Sequence, residues 1–478
     1  MAHPRIIQGG LGAGISNWQL AKAVSQTGNL GVISGTALDS ILARRLQLGD
    51  PNGDMRRALQ HFPEQDIAQR IIDTYYIPNG KAENTPFKLV SMFTDRPRQS
   101  TLELTIAANF VEVFLAKEGH DGLVGINLLE KIQLPNLPSL YGAMLAGVDY
   151  VLIGAGIPRE IPGALDAMAE HCETSLKINL ENPSAKEGEK RFSFKPKSVI
   201  QTDLPPLKRP TFLAIISSFT LALALIRKSN GKVDGFIIET PTAGGHNAPP
   251  RGALRLDENG EPIYGPKDNM DIARVQKLGL PFWLAGSYAS PEKLEHLLKQ
   301  GATGIQVGTA FAFCRESGLD DNIKTDFLDQ FLKDNVEVFT DPLASPTGFP
   351  FKVVKMDGMI DREIYDERSR ICDLGYLRKT YLKPDGNIGF RCPSEPEGTY
   401  QSKGGEPDET AGRKCLCNAL LANIGLAQQR EDSGLEAPLI TAGNDIGVIK
   451  QFLKDEKTSY SAQDVIQYLS QTQTAPAV

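Results

Sequence analysis

Five short glycine-rich runs are the residues of this chain best suited to holding a charged ligand: Gly9-Gly10-Leu11-Gly12, Gly154-Ala155-Gly156, Ala243-Gly244-Gly245-His246, Ala285-Gly286-Ser287 and Gly308-Thr309. Glycine lets a ligand approach the backbone closely, and the turn amides that open a helix attract anions. One such run is usually no more than a turn. Five of them at matching points of a repeating pattern point to one shared site. Of the six histidines, His246 alone falls in one of these runs. An imidazole there could orient a substrate, donate a proton or polarise a carbonyl. Its plainer reading is a ring bonded into a turn. Asn247 and Tyr288 are weaker candidates for the same pocket, with structural roles as the simpler reading.

A second set of reactive residues lies late in the chain. Cys372, Cys392, Cys415 and Cys417 crowd together with gaps of 19, 22 and 1 residues, while Cys172 and Cys314 stand alone. Four cysteines in such a span could bind zinc or an iron–sulfur cluster. The spacing lacks paired C-x-x-C knuckles, so free or buried thiols are the commoner reading and no metal is assigned. Neighbouring Lys and Arg are expected to lower the thiol pKa values.

The glycine runs need elements to position them, and the pattern supplies a beat. An apolar strand from Arg5 enters the first run, Ser16 suits an N-cap, and Leu20, Ala23 and Val24 keep helical spacing before a second strand at Leu30 to Ser34. Further strands are read at 123–127, 150–153, 212–216, 235–239, 282–285 and 304–307, with helices between most of them. Apolar runs without alternation mean strands buried on both faces. Eight such β/α units predict a TIM (β/α)8 barrel, an α/β fold whose site lies at the C-terminal strand ends and whose phosphate loops follow strands seven and eight. Residues 1–35 and 121–318 would form this barrel. Residues 36–120 read as a helical insertion, with Asp50-Pro51 as an N-cap and N1 pair. Residues 176–210 read as a hairpin or loop excursion and 247–268 as a lid loop. Residues 319–478 form a mixed C-terminal region carrying the cysteines, with a frayed tail from Gln471.

The motifs I-Q-G-G-L-G, E-T-P-T-A-G-G-H-N and L-A-G-S…G-A-T-G-I-Q-V-G-T-A-F resemble the nitronate monooxygenase (2-nitropropane dioxygenase) family. That family includes FMN-type enoyl-acyl-carrier-protein reductases and the stand-alone enoyl reductases of polyunsaturated fatty acid and polyketide synthases. The resemblance implies a TIM barrel holding FMN noncovalently. It places Gly9, Gly10 and Leu11 under the flavin ring and gives Asn127 a hydrogen bond to it. Glu239 then faces the flavin or its ribityl chain, and Gly245, Gly286, Ser287, Gly308 and Thr309 surround the phosphate. Ser287 departs from the usual second glycine. Gly154 departs more tellingly, because nitronate monooxygenases carry there the histidine that deprotonates a neutral nitroalkane. The turn here resembles that of the enoyl reductases instead.

The expected activity is NAD(P)H-dependent reduction of an enoyl thioester, with His246 as the catalytic residue. The alternatives are a nitronate monooxygenase oxidising anionic alkyl nitronates with O2, and a non-catalytic flavin-binding or partner subunit. The substrate would be a small molecule or a carrier-bound acyl group, and association into a homo-oligomer stays open. The 478 residues are 41% hydrophobic and 23% charged with a net charge of −7, which gives no basic stripe for nucleic acid. No apolar run is long enough to span a membrane, and the N-terminal residues lack the pattern of a signal peptide, so a cytoplasmic location is expected.

Overall fold

A computed structural model describes residues 3–181, 188–357, 368–430, 434–454 and 458–471. Most of the tail expected to fray, and the centre of the 176–210 excursion, lie outside the described residues.

The eight expected strands form a closed parallel barrel in chain order. They are β1 (Ile6–Gln8), β2 (Leu30–Ser34), β3 (Val124–Leu129), β4 (Tyr150–Gly154), β5 (Thr211–Ile216), β6 (Gly235–Glu239), β7 (Phe282–Ala285) and β8 (Gly304–Val307). Closure is made by β1 against β8, with Ile7 opposite Gln306.

The strands are apolar without alternation because both faces are buried, in two different places. Ile7, Leu30, Val32, Leu152, Leu213, Ile237 and Trp283 pack inside the barrel. Their neighbours Ile6, Ile33, Val151, Phe212, Phe236 and Phe282 pack outward against helices. The helices are α1 (Trp18–Ser25), α2 (Leu38–Gln47), α3 (Asp54–Leu59), α4 (Gln65–Tyr75), α5 (Gln99–Lys117), α6 (Gln133–Leu145), α7 (Ile161–Ala169), α8 (Phe219–Lys228), α9 (Ile272–Gln276), α10 (Pro291–Lys299) and α11 (Thr309–Ala312). Helix and strand touch where glycine permits it. A Cβ on Gly31 would lie 1.9 Å from the Ala21 carbonyl oxygen.

Within residues 36–120, α5 packs along α6 and against α1, so it occupies the position between β2 and β3 in the outer layer. The remaining helices of that segment lie beyond it.

Two expected caps are placed differently. The N-cap of α1 is Asn17, whose side chain accepts from the Leu20 amide at 2.9 Å. Ser16 instead closes the first glycine run: its hydroxyl donates to the Gly9 carbonyl at 2.9 Å and accepts from the Leu11 amide at 2.9 Å. Asp50 and Pro51 precede α3, whose N-cap position is Gly53. The Asp50 carboxylate still reaches that end, accepting from the Met55 and Arg56 amides at 3.1 and 3.0 Å.

Parts of the chain beyond the barrel border its mouth, among them Phe349, Phe351, Leu377, Leu420 and Thr441. A strand at Glu337–Asp341 pairs antiparallel with Phe351–Lys355, and Phe351 makes a bridge to His246. Ile132, Ala344, Phe351, Leu377, Leu416 and Leu439 form a separate core under this cover.

Candidate active site

All five glycine runs border one cavity of about 500 Å³ at the C-terminal ends of the strands. Every residue the sequence pointed to for a ligand site at the glycine runs lines it, from Gly9, Gly10 and Leu11 through Asn127, Gly154, Glu239, Gly245, His246 and Asn247 to Gly286, Ser287, Tyr288, Gly308 and Thr309, whereas Cys372, Cys392 and Cys415 lie apart from it. The shared wall follows from topology, because parallel strands in one barrel all end at one rim.

The glycines are required for different reasons. A Cβ on Gly10 would come within 2.5 Å of the Asn127 Cβ, so this turn and Asn127 are packed as a unit. Gly286 has φ +95°, and its Cβ would strike the Thr240 hydroxyl at 2.3 Å. Ser287, the departure from the family pattern, also has a left-handed backbone at φ +58°, where glycine is usually favoured.

His246 ends a hydrogen-bonded chain that the sequence did not reveal. Its Nε2 is 2.7 Å from the Ser345 hydroxyl, which is 2.8 Å from the Thr347 hydroxyl. The Lys131 ammonium donates to Thr347 at 3.3 Å and lies 3.5 Å from the centroid of the Phe349 ring. The His246 ring meets Phe351 edge-on at 4.8 Å. The ring is half-buried at the cavity edge. Desolvation holds its pKa well below the ordinary value, and Lys131 pushes the same way. His246 is therefore a neutral imidazole at neutral pH.

Burial lowers Lys131 to about 7, with Glu130 and Glu239 pulling the other way. Burial raises Glu239 to about 7 against the pull of Lys131. Two oppositely charged groups that each lose solvent thus titrate near neutrality beside the cavity.

The opposite rim lies by α11 and the β7 turn. Lys293 donates to the Ser287 carbonyl at 2.5 Å, and the Thr309 hydroxyl accepts from the Gly443 amide at 2.9 Å. Thr441, Ala442, Gly443 and Asp445 complete this wall from the far end of the chain. Burial raises the Asp445 carboxyl, while Lys293 and Thr309 lower it. For a phosphate-bearing ligand at this rim the Asp445 carboxylate would be repulsive, so Asp445→Asn is expected to tighten its binding by roughly tenfold, about 1.4 kcal/mol. Fluorescence titration of the flavin-free protein measures this, and weaker binding would assign Asp445 a supporting role.

The lining suits a flavin mononucleotide. Gln306 and Asn247 each keep a buried side-chain oxygen without a hydrogen-bond partner among the described residues, and both border the cavity. A flavin brings one imide N–H on its ring and hydroxyls on its ribityl chain, donors that such acceptors can take up. The Asn127 amide donates to the Leu152 carbonyl at 2.9 Å, which leaves its oxygen toward Gly10.

Several residues at the cavity carried no sequence signal. Phe349, Thr441, Ala442, Gly443 and Asp445 line it from loops without periodicity or motif, and Ser345, Thr347 and Lys131 stand behind His246. The expected lid loop does contribute, through Ala248, Pro249, Arg251, Tyr264 and Asp268.

The expectation for the cysteines is overturned in part. Burial raises Cys372 to about 11, Cys392 to about 12 and Cys417 well above its ordinary value. Desolvation outweighs the neighbouring cations, so these thiols are not activated.

No protein-family model matches the chain, and no curated protein matches it. Among solved structures the chain is similar to FabK from Thermotoga maritima, with 15% identity, 98% of this chain and 92% of that chain covered, and a TM-score of 0.48. It is also similar to the enoyl reductase domain of MlnA from the macrolactin biosynthesis cluster of Bacillus amyloliquefaciens, at 11% identity, 98% and 95% coverage and a TM-score of 0.47. A nitroalkane oxidase from Streptomyces ansochromogenes matches at 15% identity, 98% and 94% coverage and a TM-score of 0.41. The barrel itself is defined by the strand pairing of this chain, and the site by its own side chains. Among the described residues no helix is long and apolar enough to cross a membrane.

Proposed function

We propose that the chain is an FMN-dependent oxidoreductase that reduces an enoyl thioester at the expense of NAD(P)H. The observation that carries this reading is the hydrogen-bonded chain from Lys131 through Thr347 and Ser345 to His246 at the cavity wall. When bound, the flavin supplies the hydride chemistry, and the protein supplies position and electrostatics.

Hydride addition to an enoyl thioester leaves negative charge on the carbonyl oxygen. A neutral imidazole N–H can meet that charge, provided the other ring nitrogen accepts a hydrogen bond. Ser345 is placed to donate to Nε2, which puts the ring proton on Nδ1. As the product takes the Nδ1 proton, a proton passing from Lys131 through Thr347 and Ser345 reaches Nε2 and keeps the imidazole neutral, and exchange of the ring protons then returns the Nδ1–H tautomer. Lys131 is then recharged from solvent.

Gly154 supports the same choice. A Cβ there would lie 2.9 Å from the Ile215 Cβ, so the β4 end has no room for a basic side chain. Turnover of neutral 2-nitropropane is therefore expected to be very low, because nothing at that position can remove its proton. Oxygen uptake with the neutral nitroalkane measures this, and fast uptake that survives His246→Ala would reject the argument.

The relay gives a pH dependence with a defined sign. Lys131 carries its donor proton below about 7 and loses it above. Flavin reoxidation by the enoyl thioester is expected to slow as pH rises through about 7, and Lys131→Met should flatten that dependence. Stopped-flow rates between pH 6 and 9, a window set by that pKa, test both.

The central experiment is anaerobic reduction of the purified protein by NADPH or NADH, followed by reoxidation with a crotonyl thioester. Bleaching and recovery support the reading. Oxygen uptake on an anionic nitronate without nicotinamide bleaching would make it a monooxygenase. A protein that takes up no flavin would be a scaffold.

A further inference from the structure

The cavity has two unlike ends, and the phosphate loops account for only one of them. The end at the β7 and β8 loops is polar, with Ser287, Thr309 and Asp445 on its rim. In the closed ring β3 stands opposite β7. There the lining is apolar: Leu129 ends β3, Ile132 precedes α6, and Leu377 and Leu420 come from the chain beyond the barrel. These four side chains belong to the separate core that also holds Phe351, the ring packed against His246.

Two more residues on this wall carry polar atoms that are already engaged or neutral. The Tyr376 hydroxyl donates to the Asp39 carboxylate and lies 2.7 Å from the Ser40 hydroxyl. Burial raises the Cys417 thiol well above its ordinary range, so it stays protonated. A protonated, buried thiol behaves as a small apolar group. These side chains therefore offer a ligand dispersion contacts and removal from water, and no strong donor.

The two ends also differ in access. Ile132 and Leu377 are only 7% and 8% exposed, so the apolar end faces away from solvent. The cavity opens at the lid side, where Ile157 and Arg251 are exposed. Arg251 is held there by its bond to the Ser217 carbonyl at 2.8 Å. A thioester has one apolar arm, the acyl chain, and one polar arm leading to its thiol carrier. With its carbonyl at His246, each arm has one direction to take: the chain toward the apolar end, the carrier arm out past the lid.

We propose that Leu129, Ile132, Leu377 and Leu420 form an acyl-chain site, and that the substrates are aliphatic enoyl thioesters longer than crotonyl. This rests on the enoyl thioester reading above and names which thioesters it concerns. Each methylene moved from water onto such a wall favours binding by about fourfold. The four methylenes that separate crotonyl from octenoyl then give on the order of a hundredfold. The chain makes the same contacts before and during hydride transfer, so the gain falls in KM and leaves kcat nearly level.

The test measures binding and turnover separately, on the full chain. Calorimetric titration with butyryl, hexanoyl and octanoyl thioesters of N-acetylcysteamine, which have no double bond to reduce, should show one site per chain and affinity rising about fourfold per methylene. Reoxidation of the reduced flavin by crotonyl, hexenoyl and octenoyl thioesters should show the same rise in kcat/KM. Leu420→Trp, which fills the wall from the helix Leu416–Ala422, should cut the octenoyl-to-crotonyl ratio from about a hundredfold to a few-fold. The wild-type series needs no variant to fold. A flat series in both measurements would overturn the acyl-chain site and leave the reductase standing. A rising binding series without enoyl reduction would support the site and remove the reductase reading. A folded Leu420→Trp that loses FMN but keeps the chain-length ratio would assign the wall to the flavin and overturn the proposal.

Discussion

His246→Ala should keep FMN and be reduced by nicotinamide at close to the normal rate, yet lose about a hundredfold to a thousandfold in reoxidation by an enoyl thioester. The size follows from removing one donor aimed at developing charge, which costs about 2.7–4 kcal/mol in comparable sites. The selectivity follows from geometry. The His246 ring is tied to Ser345 and packed on Phe351, so it is held by the cover over the barrel. Ser345→Ala should reproduce a smaller part of the loss, because the ring keeps its N–H but loses the partner that fixes the tautomer. Stopped-flow comparison of the two half-reactions is the measurement. An unchanged oxidative half-reaction would return His246 to a structural role.

Gly308→Leu should give a folded, colourless protein with FMN affinity at least a hundredfold weaker, about 2.8 kcal/mol. Gly308 has an ordinary φ of −111°, so a side chain causes no backbone strain there. Its Cβ would touch the end of Leu11 at 2.9 Å and otherwise enter the cavity. The substitution thus fills the ligand space and leaves the barrel alone. Gly304 is the contrast, since its Cβ would lie 1.8 Å from the Arg5 carbonyl oxygen and disrupt the β8–β1 closure. Absorbance and circular dichroism on Gly308→Leu separate the two outcomes. Stoichiometric FMN in that variant would move the phosphate site elsewhere.

The barrel was legible because its signal is local and repeated. The strands are short apolar runs, and the five glycine runs that follow strands all mark the same rim. His246 was legible for the same reason. What sets the state of His246 was not. Ser345 and Thr347 lie about a hundred residues away in a turn that looks like any other, and Lys131 reads as a surface cation until burial depresses it. Ser16 shows a smaller limit: its type fits a cap, but its hydroxyl serves the glycine loop one turn earlier. The cysteines mark the largest gap. Their neighbours in sequence are basic, yet burial decides their acidity, and burial cannot be counted from spacing.

The 441–445 segment sets an order of events for the growing polypeptide. Gly244 packs against Ala442 so closely that a Cβ would lie 2.9 Å from its carbonyl carbon, and the Asn444 amide donates to the Thr242 carbonyl at 3.0 Å. The last barrel strand ends at Val307, more than a hundred residues before this clasp. A chain emerging from the ribosome can close its barrel first and only later shut the pocket. A cofactor held in this cavity would therefore be secured late, and a chain stopped after residue 430 is expected to bury its barrel core but hold a flavin poorly.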